Sequence, residues 1–224
     1  MSAESDFDPR VVEFAENPEP RCPCVLLLDV SGSMSGAPVE QLNAGLLLFR
    51  DSLQKDKLAS LRVEVAILTF GGSVSVVQDF ITVDQFNPPT LSSHGNTPMG
   101  EAINLALDKL EERKDLYKKA GTSYYRPWIF LITDGEPTDE WQTAAQRLQA
   151  SEDRKGVAFF TVAVDKANLN KLAQIAPKNR PARKLTGLDF AGMFVWLSQS
   201  LTNVSHSKVG EQVPLKPADG WSSV

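Results

Sequence analysis

Two uninterrupted apolar runs, each closed by an aspartate, constrain this chain more than any other feature. Val25-Leu26-Leu27-Leu28 ends at Asp29, and Trp128-Ile129-Phe130-Leu131-Ile132-Thr133 ends at Asp134. Apolar runs without polar alternation suit strands covered on both faces, as in parallel sheets packed between helices. Ligand sites in such sheets gather beyond the carboxyl ends of the strands, where both aspartates fall. Asp29 also opens Asp29-Val30-Ser31-Gly32-Ser33, in which Gly32 permits a tight bend. With Thr97 from a third segment, the candidate metal ligands are Asp29, Ser31, Ser33, Thr97 and Asp134, two carboxylates and three hydroxyls. An all-oxygen set suits a hard divalent cation; few carboxylates and several hydroxyls favour Mg²⁺, with Mn²⁺ or Ca²⁺ as alternatives.

The remaining pattern alternates strand and helix. Val39, Leu42, Leu46, Phe49 and Leu53 recur on one helical face behind Pro38. Arg62–Gly71 and Val74–Ile81, joined by Gly71-Gly72-Ser73, read as a hairpin. Residues 83–96, with prolines, serines, Gly95 and Asn96, form a loop long enough to suggest a role. Thr97-Pro98 then opens a helix, with Thr97 as N-cap and Ala102, Ile103, Ala106, Leu107 and Leu110 as its buried stripe, ending at Gly121. A polar helix over Glu140–Lys155, a strand over Val157–Val164, a short helix over Asn168–Ala176, a short edge strand over Arg183–Thr186 and an amphipathic helix over Phe190–Val204 follow. The expected fold class is α/β: a doubly wound, mostly parallel sheet with one antiparallel edge strand and helices on both faces. Residues 1–20 read as an N-terminal arm with a short strand at Val11–Phe14, residues 21–204 as the domain, and residues 205–224 as a polar tail. Trp221 in that tail either folds back on the domain or anchors a partner.

A formal charge of −5 and the lack of any Lys/Arg block argue against nucleic acid as a partner. No apolar run approaches the ~20 residues of a membrane span. The opening segment lacks the basic start and apolar centre of a signal peptide, which makes the cytoplasm the expected compartment. Cys22 and Cys24 are too few for a disulfide framework; Cys24 is expected to start a buried strand, with Cys22 just outside it. Glu136, Asp139 and Glu140 read as a solvated helix start, His94 as an exposed loop residue and Asp165 as a turn residue.

The charge balance of the five candidate ligands points to binding rather than catalysis. Two carboxylates roughly neutralise one divalent ion, and neutral hydroxyls leave it electrophilic with a position open. An Asp or Glu carboxylate from a protein partner suits that position. An Mg²⁺-dependent phosphohydrolase or phosphotransferase is the alternative, because aspartyl-phosphate enzymes also place an Asp at a strand end. Such enzymes put a second acid two residues on, where this chain has Ser31, and Gly71-Gly72-Ser73 lacks a phosphate-loop pattern. A non-enzymatic role is therefore expected.

Asp29-x-Ser31-x-Ser33 at a strand end, Thr97 before a helix and Thr133-Asp134-Gly135 after a strand resemble the metal-ion-dependent adhesion site (MIDAS) of von Willebrand factor A (vWA) domains. The resemblance runs from about Pro23 to about Asn203. It implies a Rossmann-like doubly wound fold and a metal-bridged protein contact. It further implies that Ser31, Ser33 and Thr97 ligate directly while Asp29 and Asp134 act through water. Cys24–Ser35, Gly95–Gly100 and Leu131–Pro137 are similar to small bacterial stand-alone vWA proteins associated with tellurium resistance and stress response. That narrower resemblance implies a kinase or phosphatase as a possible class of partner. A secreted adhesion domain is the other reading of the family pattern.

Overall fold

The computed structural model describes residues 12–218 and 220–223. Its centre is a seven-stranded sheet of order β3-β2-β1-β4-β5-β6-β7. The strands are β1 (Cys22–Asp29), β2 (Val63–Gly71), β3 (Ser73–Thr82), β4 (Trp128–Thr133), β5 (Ala158–Ala163), β6 (Arg183–Leu185) and β7 (Ser222–Ser223). β1 runs parallel to both β2 and β4, with Leu28 opposite Thr69 on one side and Ile132 on the other. The chain leaves β1 for β2 and β3 and then returns across it to β4. The switch of strand order thus lies between the carboxyl ends of β1 and β4, which carry Asp29 and Asp134.

Parity along the central strands explains why both apolar runs are continuous. Cys22, Cys24, Leu26 and Leu28 face one core layer with Phe130 and Ile132, whereas Val25 and Leu27 face the other with Ile129 and Leu131. The first layer is closed by α2 (Ala37–Gln54), α3 (Lys57–Arg62) and α7 (Phe190–His206), the second by α4 (Met99–Ala120), α5 (Gln142–Asp153) and α6 (Leu169–Leu172). Phe194, Leu197 and Leu201, expected to point inward from the last helix, are fully buried. Gly45 lets α7 approach α2, since a Cβ there would sit 2.4 Å from Cδ2 of Phe194.

Several expectations are corrected. The strand placed at Val11–Phe14 is a helix, α1 (Val12–Glu16), with Val11 outside the described residues. Its Phe14 packs edge-on against Tyr117 at 5.5 Å, with the Arg113 guanidinium over its ring at 4.9 Å, contacts that a sequence pattern does not reveal. Cys22 lies within β1 and is as buried as Cys24. Arg183–Leu185 is not the sheet edge, because β7 pairs with it antiparallel. Both edges are therefore antiparallel: the β2–β3 hairpin at one and the tail strand at the other. Trp221, just before β7, is buried in the layer beneath α7, so the tail folds back on the domain.

Helix α3 has no counterpart in the expectations. Six residues are too few for a legible period, yet its cap is conventional: Asp56 accepts from the backbone N–H of Leu58 at 3.0 Å and of Ala59 at 2.9 Å.

Candidate metal centre

At the carboxyl end of β1 the chain turns into a short 3₁₀ segment, Gly32–Met34. That turn places Ser31 and Ser33 with their hydroxyl oxygens 3.1 Å apart. Ser33 donates to Oδ1 of Asp134, which follows β4, at 2.7 Å. Asp29 is fully buried and accepts the Ser31 N–H at 2.8 Å on Oδ1 and the Thr133 hydroxyl at 2.5 Å on Oδ2. Thr97 enters from the third segment. A Cβ at Gly135 would lie 3.3 Å from Thr97 Oγ1 and 3.6 Å from Asp29 Oδ2, which places Gly135 directly beside both side chains. All five sequence-predicted residues therefore border one cup. Asp29, Ser31 and Thr97 form its buried floor, Asp134 is half-buried and Ser33 is exposed.

The long loop that delivers Thr97 is held to the sheet end by backbone. His94 N–H donates to the Val30 carbonyl at 2.7 Å, Gly32 N–H to Gly95 at 2.9 Å, and Gly72 N–H to Asn96 at 2.8 Å. This approach needs glycine at Gly95: its φ is +70° and a Cβ would fall 2.4 Å from Cα of Gly72. Upstream, the Asn43 side chain of α2 accepts from Leu91 N–H at 2.8 Å and donates to its carbonyl at 2.9 Å.

Thr97 is not the N-cap of α4. The helix begins at Met99, and the orphan N–H groups of Gly100 and Glu101 donate to the Asp139 carboxylate at 3.0 and 2.8 Å. Asp139, expected to be a solvated residue of its own helix start, thus caps a neighbouring helix. Thr97 is held instead through its backbone: its N–H donates to Thr138 Oγ1 at 3.1 Å and its carbonyl accepts Thr138 N–H at 2.9 Å. Its hydroxyl is thereby free to face the cup. Glu140 does serve its own helix, accepting Thr143 N–H at 3.0 Å. Asp139→Ala is expected to cost about 1–2 kcal/mol, as lost caps do. Urea denaturation measures this, and an unchanged midpoint would show that α4 starts without the Asp139 carboxylate.

The sequence shows Thr133 only as the last strand residue of the Thr-Asp-Gly signature; its role in the cup emerges from the structure. Its hydroxyl fixes Asp29 and accepts the Gly135 N–H at 3.1 Å, tying both halves of the cup together. The His94 side chain is exposed and bonds locally, to the Ser92 carbonyl, as expected of a loop residue.

Burial pushes the Asp29 carboxyl above the usual carboxylate range, against the hydrogen bonds from Ser31 and Thr133. Burial also raises Asp134, against the Ser33 hydrogen bond, and the negative charge of Asp165 adds to it. Two acids held so close to oxygens, with no cationic side chain among these contacts, make a donor set suited to a hard cation. Among the described residues no three His, Cys, Asp or Glu side chains cluster as a metal site; the cup instead combines two carboxylates with three hydroxyls.

A doubly wound α/β domain with an oxygen-lined cup at its switch point is the class that this fold and site define. The sequence profile of the von Willebrand factor type A domain matches residues 24–192, and the chain belongs to that family. Domains of this family often mediate metal-dependent protein interaction or adhesion. No curated protein sequence matches the chain. Among solved structures, proximal thread matrix protein 1 from the mussel byssus is similar at TM-score 0.56 and 14% identity, over 82% of this chain and 48% of that one. This chain thus spans about half of the mussel protein. The same protein is also known "with zinc occupied MIDAS motif", at TM-score 0.53 and 16% identity over 84% of this chain and 45% of that one. BatB from Bacteroides thetaiotaomicron is similar at TM-score 0.57 and 18% identity, over 83% of this chain and 100% of that one. Among the described residues no helix is long and apolar enough to cross a membrane.

Proposed function

We propose that the chain is a metal-dependent protein-interaction module. A divalent cation, Mg²⁺ by preference, is held by Asp29, Ser31, Ser33, Thr97 and Asp134, and a partner's Asp or Glu carboxylate completes its coordination. The observation that carries this reading is the convergence of three segments on one cup whose floor is buried and whose rim, at Ser33 and Asp134, reaches solvent. The cation would supply an electrophilic anchor for an acidic group; the chain's own residues set its place and keep it accessible. Alongside, at the carboxyl ends of β5 and β6, a cleft of about 460 Å³ is bordered by Pro38, Asp165, Lys184 and Leu188. It offers room for the residues that flank the partner's carboxylate. The zinc-occupied MIDAS of the mussel protein supports a divalent metal at the corresponding feature of this fold.

A bacterial stress or tellurium-resistance system, with a kinase or phosphatase as partner, is the narrower setting we propose, on the resemblance of the three motif segments. A reducing, cytoplasmic compartment accords with the two free and buried cysteines. The experiment is affinity capture in Mg²⁺, elution with chelator and rebinding on Mg²⁺ addition. The expected partner elutes with chelator and returns with the metal. A partner that stays bound throughout chelation contradicts the reading.

The raised acids give this proposal a pH signature. A carboxylate with an elevated pKa contributes stability that is present below its ordinary pKa and lost as pH rises through the elevated one. The metal-free domain therefore loses stability across that window, and a cation binding the ionised pair restores it. The Tm increase produced by a fixed Mg²⁺ concentration is expected to be larger at about pH 7.5 than at about pH 5. Scanning fluorimetry reads it directly, and an equal increase at both pH values would speak against ligation by Asp29 and Asp134.

A further inference from the structure

Helix α4 starts without a capping side chain of its own, because Pro98 stands at its N-cap. Its first N–H groups are nevertheless paired. Met99 N–H donates to the Thr97 carbonyl at 2.8 Å and Ala102 N–H to the Pro98 carbonyl at 3.1 Å. The two between them, on Gly100 and Glu101, go to the two carboxylate oxygens of Asp139, 3.0 and 2.8 Å away. This approach is built into the backbone. A Cβ at Gly100 would fall 2.8 Å from Cα of Trp141, so glycine is what lets residues 139–141 lie against the helix start.

Thr97 is the competing acceptor. A threonine ahead of a helix ordinarily takes the backbone N–H two or three residues on. Three residues after Thr97 stands Gly100, whose N–H Asp139 already holds. The Thr97 hydroxyl oxygen lies instead on the cup side, beside Gly135. Thr138, the neighbour of Asp139, fixes the Thr97 backbone from the same loop. One short loop, residues 134–139, thus supplies one candidate ligand, clamps a second, and satisfies the helix that would otherwise claim that second hydroxyl. We propose that Asp139 is a positioning residue of the metal centre: it caps α4 from outside so that the Thr97 hydroxyl stays with the cation. Without Asp139 the hydroxyl turns to the Gly100 N–H, and a cation must first draw it back, which lowers the apparent affinity. The inference rests on the cup holding a divalent cation.

Mn²⁺ titrated into the full chain, with the free ion counted by its electron paramagnetic resonance, tests this. Asp139→Ala loses the cap but keeps the core, and is expected to weaken Mn²⁺ about tenfold. Asp139→Asn keeps an oxygen for the Gly100 N–H and removes the charge; it is expected to bind Mn²⁺ within about twofold of the unaltered protein. Had Asp139 served the cation through its charge alone, both variants would weaken it equally. Exchange of the Gly100 amide hydrogen gives a second reading. In Asp139→Ala, saturating Mg²⁺ pulls the Thr97 hydroxyl away and is expected to speed that exchange several-fold, whereas in the unaltered protein Mg²⁺ leaves it unchanged. A cap with no bearing on the cup would produce neither effect. Equal Mn²⁺ affinity in Asp139→Ala and the unaltered protein, or equal losses in both variants, would overturn the proposal and leave the cation site standing. Failure of the unaltered protein to bind Mn²⁺ would overturn the cation site and the proposal with it.

Discussion

Asp29→Asn is expected to weaken divalent-cation binding about 100-fold while leaving the domain folded. The side chain keeps its shape and can still accept the Ser31 N–H at Oδ1, so the turn after β1 retains its anchor. What it loses is one of the two charges that balance the cation. The metal-free variant is expected to be as stable as the unaltered protein at neutral pH, because the change removes a buried charge whose carboxyl is pushed up by desolvation. Calorimetric titration of Mg²⁺ and thermal unfolding without metal read the two effects separately. Loss of metal binding together with loss of the fold would mean that Asp29 is structural rather than a contributor to a cation site.

Glu64→Ala is expected to be the most destabilising single change, at about 3–5 kcal/mol. Glu64 of β2 is fully buried and accepts a two-pronged hydrogen bond from Arg113 of α4 at 2.9 and 2.8 Å. It also accepts the Tyr117 hydroxyl, and Arg21, ahead of β1, stands 2.8 Å away. Arg113 reaches onward to Glu13 of α1 at 2.5 Å. Removing the central carboxylate leaves two buried guanidinium groups with too little compensating charge, and one group's loss unties β2, α4 and α1 together. Against a total stability on the order of 5–15 kcal/mol, the loss is large enough to unfold part of the population near body temperature. Urea unfolding measures it; a loss below about 1 kcal/mol would show that water or Glu13 takes over the role of Glu64.

The site was more legible than its supports. Asp29 and Asp134 stand out because each closes an apolar run, and run-ending acids in an α/β pattern carry positional meaning by themselves. Ser31 and Ser33 follow from adjacency. Thr97 was legible by its place before a helix, yet for a reason the structure corrects: Asp139 caps that helix from a different loop, and the threonine hydroxyl is left for the cup. Asp139, Thr133 and Asn43 act across separations of 38, 104 and 48 residues, which no local period encodes. The Glu64 network was invisible for the same reason. Glu64 falls at a polar position of an apparently alternating strand, and only the fold shows that both faces of that strand are covered. The composition of the tail is polar, yet two of its residues complete the sheet and Trp221 enters the core.

The central claim is that a cation sits in the cup. A crystal of the domain soaked in Mn²⁺, with anomalous scattering recorded at the manganese edge, tests it most directly. The account predicts one strong peak about 2.1 Å from the hydroxyl oxygens of Ser31, Ser33 and Thr97, beside the carboxylates of Asp29 and Asp134. A saturated crystal whose manganese lies elsewhere, or nowhere, would contradict it.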